Sequence, residues 1–427
     1  MTAPLQQGGQ LLKDVQLLQG PHQPLLRTDV LLEQGVITAI GASAWEGAAR
    51  LGLAPLAAGS WLLAPALVDP HSVLEEPEDG RAETLESLVR SAAAAGYGTV
   101  ALLPRARNWR DRPECLRLAA APPFELPLWG SFSLGGRGED LSAHADLLAA
   151  GALGLAEEGE LPPLPLLERG LSIGECADRP VLLAPRNASL DHGGFVREGV
   201  EALRAGWPLD PPLSETIPLQ NLLALAACLP RVNLCLANLS TAAGVKLLRA
   251  ANPAPMATVC WWHLVADSGS LDPLAEGWRL VPSLGTPEDR RALVAALADG
   301  VISAVAVHHQ PLDPEEQLLP LDQRRPGLAG HRFVLPLLWQ QLVRDQGWSP
   351  TALWQALCWG PARLLDLQEP ELRIGSRRWL LFDPEMEWIP SADAYASRAA
   401  NQPLRGEQLR GRVLATGLLP ELWLGPR

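Results

Sequence analysis

Histidine and carboxylate side chains stand at the ends of several apolar, strand-like segments of this sequence. His71, Glu157 and His308 each come within three residues of the end of such a segment. Imidazole and carboxylate groups are ligands of transition metals, and a metal-bound water is a nucleophile near neutral pH. Two histidines and one carboxylate suit a single transition metal. These three residues are therefore candidates for a metal site.

A structural role is the competing interpretation of each histidine. His71 could be satisfied by local hydrogen bonds, and we interpret His263 as a packing residue. Strand alternation predicts that His309 faces away from its neighbour His308. His144 and His331 lie on helices or loops, where solvent exposure is the default expectation.

The elements that must position these residues alternate between strands and helices. Eight strand-like segments are Leu62–Val68, Thr99–Leu103, Leu128–Leu134, Ala152–Ala156, Val181–Ala184, Val232–Leu239, Ala257–Leu264 and Ile302–Val307. Helical patterns between them include Thr84–Ala95, Ser214–Leu229, Thr241–Ala251 and Pro287–Asp299. Eight strands alternating with helices predict a parallel sheet closed into an α/β, (β/α)₈ TIM barrel, whose catalytic residues sit at the carboxyl ends of the strands.

Short strands without helices occur at both ends of the chain. They include Val15–Leu18 and Val36–Ile40 near the start and Trp379–Phe382 and Arg412–Ala415 near the end. We expect the two termini to build one small composite β-sandwich domain. The predicted boundaries are 1–58 and 369–427 for the two parts of the β-sandwich and 59–368 for the barrel.

Composition excludes several classes of function. The formal net charge of -13 argues against a surface for nucleic acid or an anionic membrane. No apolar run reaches the roughly 18–20 residues that span a bilayer, and no secretory peptide is visible. The six cysteines, Cys176 among them, form no C-x-x-C pair, which suits reduced thiols. We expect a cytoplasmic protein.

The segment after the first barrel strand carries a family resemblance. Val68-Asp69-Pro70-His71-Ser72-Val73-Leu74-Glu75-Glu76-Pro77 resembles the dihydroorotase signature, in which Asp-Pro-His-x-His-Leu-Arg-Glu-Pro follows that strand. Further matches to the family are Gly151–Gly159, Ser240-Thr241, Leu297–Gly300 and Asn401–Leu404. The resemblance spans nearly the whole chain, so the sequence is identified as a member of the dihydroorotase type of amidohydrolase.

The resemblance implies a dinuclear metal centre that activates water to open a cyclic amide. In the family, two histidines one residue apart bind the first zinc, and a carboxylate or carbamylated lysine bridges to a second metal. Histidines after strands five and six hold that second metal, and an aspartate after strand eight binds metal and carries the proton.

This sequence departs from that plan at most positions. His71 stands at the first histidine, Val73 at the second, Glu157 at the bridging position, Ala184 and Asn238 at the strand-five and strand-six histidines, and His308 at the strand-eight aspartate. The lysines, Lys13 and Lys246, do not fall at the end of strand four. A site that loses ligands on both metals should lose most of its metal affinity. His308 is the remaining candidate for an acid–base residue.

The substrate-binding positions differ as well. The arginine that holds the substrate carboxylate in the family aligns with Glu75, and the substrate asparagine aligns with Arg105. Placing a glutamate where a carboxylate must bind adds repulsion to the loss of a bidentate pair. No substrate-binding position is intact.

Two functions follow from the resemblance and its departures. The first is a non-catalytic, dihydroorotase-like scaffold of pyrimidine biosynthesis, without bound metal, oligomeric, and bound to the aspartate carbamoyltransferase catalytic chain, because degenerate family members serve as its structural partners. The alternative is an active hydrolase with a single zinc on His71, Glu157 and His308. It would act on dihydroorotate or on hydantoin- or allantoin-like rings.

Overall fold

The computed structural model describes residues 9–173, 179–271, 277–391, 395–404 and 406–425, so Cys176 lies outside the described residues. The strands are β1 (Gln10–Leu17), β2 (Leu26–Glu33), β3 (Val36–Ile40), β4 (Pro55–Ala57), β5 (Leu62–Pro65), β6 (Leu67–Ser72), β7 (Tyr97–Leu102), β8 (Gly130–Ser131), β9 (Leu155–Glu157), β10 (Pro180–Leu183), β11 (Val196–Arg197), β12 (Leu209–Asp210), β13 (Asn233–Leu236), β14 (Met256–Cys260), β15 (Ala304–Ala306), β16 (Trp379–Trp388) and β17 (Leu409–Thr416).

The α-helices mostly lie between the central strands. They are α1 (Ala42–Leu51), α2 (Leu85–Ala94), α3 (His144–Ala149), α4 (Leu164–Ser172), α5 (Val200–Ala205), α6 (Leu213–Cys228), α7 (Ala242–Ala250), α8 (Trp262–Val265), α9 (Pro287–Ala298), α10 (His331–Leu338), α11 (Pro350–Trp354) and α12 (Gly360–Leu364). Short π-helical turns, Trp339–Arg344 and Gln355–Trp359, continue α10 and α11.

Strands from both ends of the chain share one sheet. Its order is β17-β16-β5-β1-β2-β3, with β4 paired to β1. Most neighbours are antiparallel, whereas β1 runs parallel to β4 and β5. One face packs around a core that includes Leu12, Val15, Ile37 and Leu381. The domain boundaries at 58 and 368 stay predictions.

The central strands are parallel, and the protein is an α/β fold. One sheet has the order β15-β14-β13-β10-β9-β8, and β6 pairs with β7 in a second sheet. Isolated parallel bridges, Thr99↔Glu125 and Leu102↔Leu128, connect β7 to the chain that enters β8. At the other side, Val73 N donates to His309 O at 2.8 Å, which joins the chain after β6 to the chain after β15. The carboxyl ends of these strands therefore surround one common opening. This opening, which is lined by residues such as His71, Glu157 and His308, is called the mouth below.

Helix starts follow the sequence signals. Thr84 and Thr286 accept hydrogen bonds from the backbone N–H groups of Ser87 and Asp289, and both helices have a complete capping box. Ser349 caps α11 in the same way, ahead of proline at the first helical position. The predicted bounds of α2, α6, α7 and α9 are confirmed to within one residue.

Some predicted segments end differently. Leu62–Val68 is two strands rather than one, because Pro65 has no N–H to continue a ladder and β5 belongs to the mixed sheet. Ala257–Leu264 stops as a strand at Cys260, and α8 begins at Trp262. Within the described residues, no helix has both the length and the hydropathy needed to cross a membrane.

Candidate active site

His71 lies at the end of β6, fully buried, with both ring nitrogens in polar contact. Its Nε2 lies 2.9 Å from the hydroxyl oxygen of Thr258, and its Nδ1 lies 3.1 Å from Nδ1 of His308. Burial lowers the pKa of His71 from 6.5 to about 4, although the charge of Asp69 opposes this. The imidazole is therefore neutral near pH 7.

His308 follows β15 and completes the contact from the other side. Its Nε2 lies 2.8 Å from the side-chain amide of Gln310. Burial lowers the pKa of His308 well below its ordinary value, and the nearby imidazole of His71 and the charge of Arg105 act in the same direction. His308 is neutral as well, so this pair of histidines carries no charge at neutral pH.

Two of the aligned ligand positions have an unusual backbone conformation. His308 has φ 48° and Asn238 has φ 50°, both in the left-handed region. Holding a residue with a Cβ there costs on the order of 1–2 kcal/mol, although Asn and His tolerate it better than most residues. The N–H of Asn238 donates to the Thr258 hydroxyl at 2.8 Å. The chain after β13 and after β15 therefore adopts a specific left-handed conformation at these two residues.

Glu157 ends β9 and is 5% exposed. Its Oε2 accepts hydrogen bonds from the N–H and the hydroxyl of Ser133, at 3.0 and 2.7 Å. Burial raises the pKa of Glu157 to about 7, while the hydrogen bonds from Ser133 oppose the rise. Oε2 of Glu157 is therefore already hydrogen-bonded to Ser133.

Val73 and Ala184 stand where the resemblance places two histidines. Val73 is buried in an apolar cluster with Val68, Ala101 and Leu103. Ala184 lines a cavity at the mouth. Neither side chain has an atom that could coordinate a metal.

An ion-paired chain crosses the mouth. Nε of Arg105 lies 3.0 Å from Glu158 and 3.6 Å from Glu75. Glu75 also pairs with Arg325 on the loop 311–326. Burial raises the pKa of Glu158, although the charge of Arg105 opposes this. Glu75 and Arg105, which the resemblance aligns with substrate-binding positions, therefore form an ion pair with each other.

Little space remains between these groups. The cavity is lined by His71, Leu103, Glu157, Glu158, Leu182, Ala184, Pro185, Arg186, Ala237, Asn238, Val281, Pro282 and His308. Its volume is about 20 Å³. A single water requires roughly 10–15 Å³ on this measure, so the cavity suits about one water molecule rather than a six-membered ring.

Comparison with known proteins gives full-length relatives. A probable dihydroorotase-like protein of Synechocystis sp. is 34% identical, covering 83% of this chain and 87% of the relative. A dihydroorotase-like protein of Pseudomonas aeruginosa is 30% identical, covering 91% and 93%. The chain belongs to the dihydroorotase and dihydroorotase-like family. A dihydroorotase of Syntrophobacter fumaroxidans is 28% identical over 91% of this chain and 90% of its own.

Solved hydantoinases share the fold of this dihydroorotase-like chain. The L-hydantoinase of Arthrobacter aurescens superposes with a TM-score of 0.76 at 18% identity, covering 96% of this chain and 94% of that enzyme. A D-hydantoinase gives a TM-score of 0.74 at 16% identity. No family model matches the sequence. At these identities the likeness concerns architecture, and the amidohydrolase fold is shown.

The residues of the mouth do not fit the zinc on which the family normally depends. Among the described residues, no three His, Cys, Asp or Glu side chains form a group able to hold an ion. The structure brings His71 and His308 together, but their facing nitrogens contact each other. Glu157 lines the same cavity, yet it binds Ser133. The three-residue site that the sequence suggested is not confirmed.

Other titratable residues near the mouth were missed by sequence reasoning. His331 is buried rather than exposed, and its Nε2 lies 3.0 Å from Oδ2 of Asp69. His309 is also buried, stacks on His331 and lies 3.4 Å from Glu83. His309 does not line the cavity, as strand alternation predicted. Asp69 in the family signature was the one signal that could have indicated a buried partner.

The local sequence led to a wrong prediction of exposure for His144 and a correct prediction of packing for His263. His144 is buried, contrary to expectation, and its Nε2 lies 2.8 Å from the carbonyl of Phe132. His263 is buried with Nε2 3.2 Å from the carbonyl of Ser283, and burial lowers its pKa to about 4. Both histidines are packing residues of the described structure.

Proposed function

We propose that this dihydroorotase-like protein is a non-catalytic member of its family. The observation that carries the proposal is the mouth itself. The cavity there has a volume of about 20 Å³, and the Nδ1 atoms of its two histidines lie 3.1 Å apart. Without a metal, water keeps a pKa near ~15.7 instead of ~7, so no adequate nucleophile forms at neutral pH.

The proposed role is that of a scaffold in pyrimidine biosynthesis, with the aspartate carbamoyltransferase catalytic chain as partner. The partner follows from family analogy, since degenerate dihydroorotases serve that enzyme structurally. The amidohydrolase fold is compatible with the role because a closed, well-packed mouth still leaves the outer surface available. We expect the scaffold to be oligomeric and to contain no zinc.

The architecture of this scaffold is part of the proposal. We infer that the eight parallel strands close a barrel over 59–368, with segments 1–58 and 369–427 forming the composite β-sandwich domain. The hydrogen bond from Val73 to His309 and the bridges between β7 and the chain before β8 support closure.

The test combines assembly with activity. The full chain would be mixed with the aspartate carbamoyltransferase catalytic chain of the same organism and analysed by size-exclusion chromatography with light scattering. We expect a shared peak of defined stoichiometry and no turnover of dihydroorotate, carbamoyl aspartate, hydantoin or allantoin. The Syntrophobacter fumaroxidans dihydroorotase would serve as the active control.

The alternative is a hydrolase with one zinc held by His71, Glu157 and His308. It predicts stoichiometric zinc by elemental analysis and turnover that a His71→Ala variant abolishes. The scaffold predicts neither, and His71→Ala should leave assembly intact provided that the variant folds. Zinc-dependent turnover by the purified chain would overturn the non-catalytic role, whereas separate elution would overturn only the partner.

A further inference from the structure

The contact between His71 and His308 joins two atoms that cannot both carry a proton. Their Nδ1 atoms lie 3.1 Å apart, within hydrogen-bond distance, and both rings are at least nine-tenths buried. A neutral imidazole has one donor and one acceptor nitrogen. For this contact to be a hydrogen bond, one of the two Nδ1 atoms carries the proton between them, and which of them does so fixes the tautomers of both rings.

The outer neighbours determine the direction of that proton. Gln310 has its amide oxygen 2.8 Å from Nε2 of His308 and 3.0 Å from Nη2 of Arg105, with its NH₂ group 3.2 Å from the carbonyl of Pro326. The opposite orientation would place two donors against each other at Arg105 and two acceptors at Pro326. The Nε2 of His308 is therefore the donor, and its Nδ1 is the acceptor.

The same argument continues through His71. Because Nδ1 of His308 accepts, Nδ1 of His71 donates and its Nε2 accepts from the hydroxyl of Thr258 at 2.9 Å. The Thr258 oxygen in turn accepts the backbone N–H of Asn238 at 2.8 Å. Its hydroxyl hydrogen has two acceptors within reach, Nε2 of His71 at 2.9 Å and Oδ1 of Asn238 at 3.4 Å, and the contact with His71 is the shorter one. The donors then run in one direction, from Thr258 through His71 and His308 to Gln310.

The geometry points to a metal-free lock, in which the side chains of Thr258, His71, His308 and Gln310 form one directional hydrogen-bond chain across the mouth. The histidine lock, defined by these four residues, ties β14 to the ends of β6 and β15. It uses all four ring nitrogens, so a metal could bind only by breaking it. The lock stabilises the strand ends by contacts of this chain alone.

This arrangement explains why the strained backbone at the mouth persists. His308 and Asn238 both have positive φ. His308 contacts His71 within the lock, and the N–H of Asn238 donates to Thr258, which is also a member of the lock. Hydrogen bonds in a low-dielectric interior polarise one another, and a fully satisfied buried network makes its surroundings rigid. Removing one end should therefore weaken the contacts at the other end.

The first experiment is a double-mutant cycle on the full chain. Thr258→Val and Gln310→Leu remove the two ends of the lock, which do not touch each other, and leave both histidines in place. We expect each variant to lower the thermal unfolding midpoint by roughly 2–4 °C and the double variant to lower it by less than the sum. Additive shifts would show two independent contacts and would overturn the lock.

The second experiment reads the tautomers directly, by nitrogen-detected NMR of the chain labelled at histidine. We expect a neutral His71 with its proton on Nδ1 and a neutral His308 with its proton on Nε2. Conservative His71→Gln and His308→Gln variants assign the resonances, and His22→Ala, an exposed site, is the control that should change neither. Equimolar zinc chloride should leave both signals in place. Zinc-induced shifts of both, or the opposite tautomers, would refute the proposal.

Discussion

Nε of Arg105 lies 3.6 Å from Oε1 of Glu75, so the two residues that the resemblance aligns with substrate-binding positions form an ion pair with each other. Glu75 follows β6 and Arg105 follows β7, so the pair joins two neighbouring strand ends. The pair belongs to a longer chain, because Arg105 also contacts Glu158 and Glu75 also contacts Arg325. Changing one of these residues should therefore alter the stability of the ion-paired chain across the mouth.

Glu75→Arg restores the residue type of the family signature, but it should not restore substrate binding. It places a third guanidinium beside Arg105 and Arg325, and like charges at this half-exposed site should lower the free energy of unfolding by about 1 kcal/mol. Urea unfolding at 20 mM and 500 mM salt would measure the effect, which screening should reduce. Glu75→Gln, as control, should lose less. A Glu75→Arg protein as stable as the parent at low salt would contradict this account.

Glu157 makes a testable contribution to the pH dependence of stability. Its pKa is raised from 4.5 to about 7 in the folded protein. Because the pKa of Glu157 is higher in the folded protein, its contribution to stability is fully present below pH 4.5. This contribution is lost as the pH rises through 7. Between pH 4.5 and 8, Glu157→Gln should therefore gain stability relative to the parent, by up to about 3 kcal/mol.

Urea unfolding of both proteins at pH 5 and pH 8 measures the change. Glutamine keeps an acceptor oxygen for Ser133, so the comparison isolates the charge. Glu139→Gln, at an exposed loop position, should track the parent at both pH values. The same stability difference between Glu157→Gln and the parent at pH 5 and pH 8 would show that Glu157 titrates normally.

Glu215 should be far more sensitive than a surface glutamate. Its buried carboxylate accepts hydrogen bonds from the backbone and hydroxyl groups of Ser240 and Thr241, and it lies 3.5 Å from Arg197. Glu215→Ala leaves these four donors without their carboxylate and removes one of the two carboxylates beside Arg197, whose guanidinium still pairs with Asp210, so it should cost about 3–5 kcal/mol of unfolding free energy. Chemical unfolding of the purified variant measures the loss, with Glu139→Ala, expected to change it by less than about 0.5 kcal/mol, as reference. A loss below 1 kcal/mol would mean that solvent enters this network.

Ala184→His would return one missing metal donor to the mouth without providing room for it. The cavity of about 20 Å³ suits about one water molecule, so placing an imidazole there should overpack the mouth and lower stability by about 1–3 kcal/mol. Ala184→Ser, which adds one atom, should be tolerated. Thermal unfolding with and without zinc distinguishes the outcomes: zinc should not raise the midpoint of Ala184→His, and a clear rise would show that the mouth can be rebuilt around an ion.

Much of the fold could be predicted because its signals are local. Apolar periodicity located the eight parallel strands, and Thr84 and Thr286 marked helix starts that depend on neighbours three residues away. Strand ends were less predictable. The division of Leu62–Val68 depends on pairing with β16, more than 300 residues later in the chain. No pattern within the segment reports that partner.

The candidate site was predictable in its location and not in its contacts. His71, Glu157 and His308 line one cavity, because strand ends converge whatever the side chains are. Which nitrogen meets which donor depends on residues far apart in sequence, as with His331 and Asp69, 262 positions apart. Burial of His331 and His144 was missed for the same reason, since helix position alone does not reveal what packs above it.

The small volume at the mouth has a consequence for selective chemistry. A compound shaped like dihydroorotate, designed against an active relative, would need a pocket for its ring and an arginine for its carboxylate. Here about one water's worth of space and the opposing charge of Glu75 meet it instead. On the proposed non-catalytic role, such a compound would bind an active relative and not this chain, so a labelled version would report only the active relative in a mixture of both.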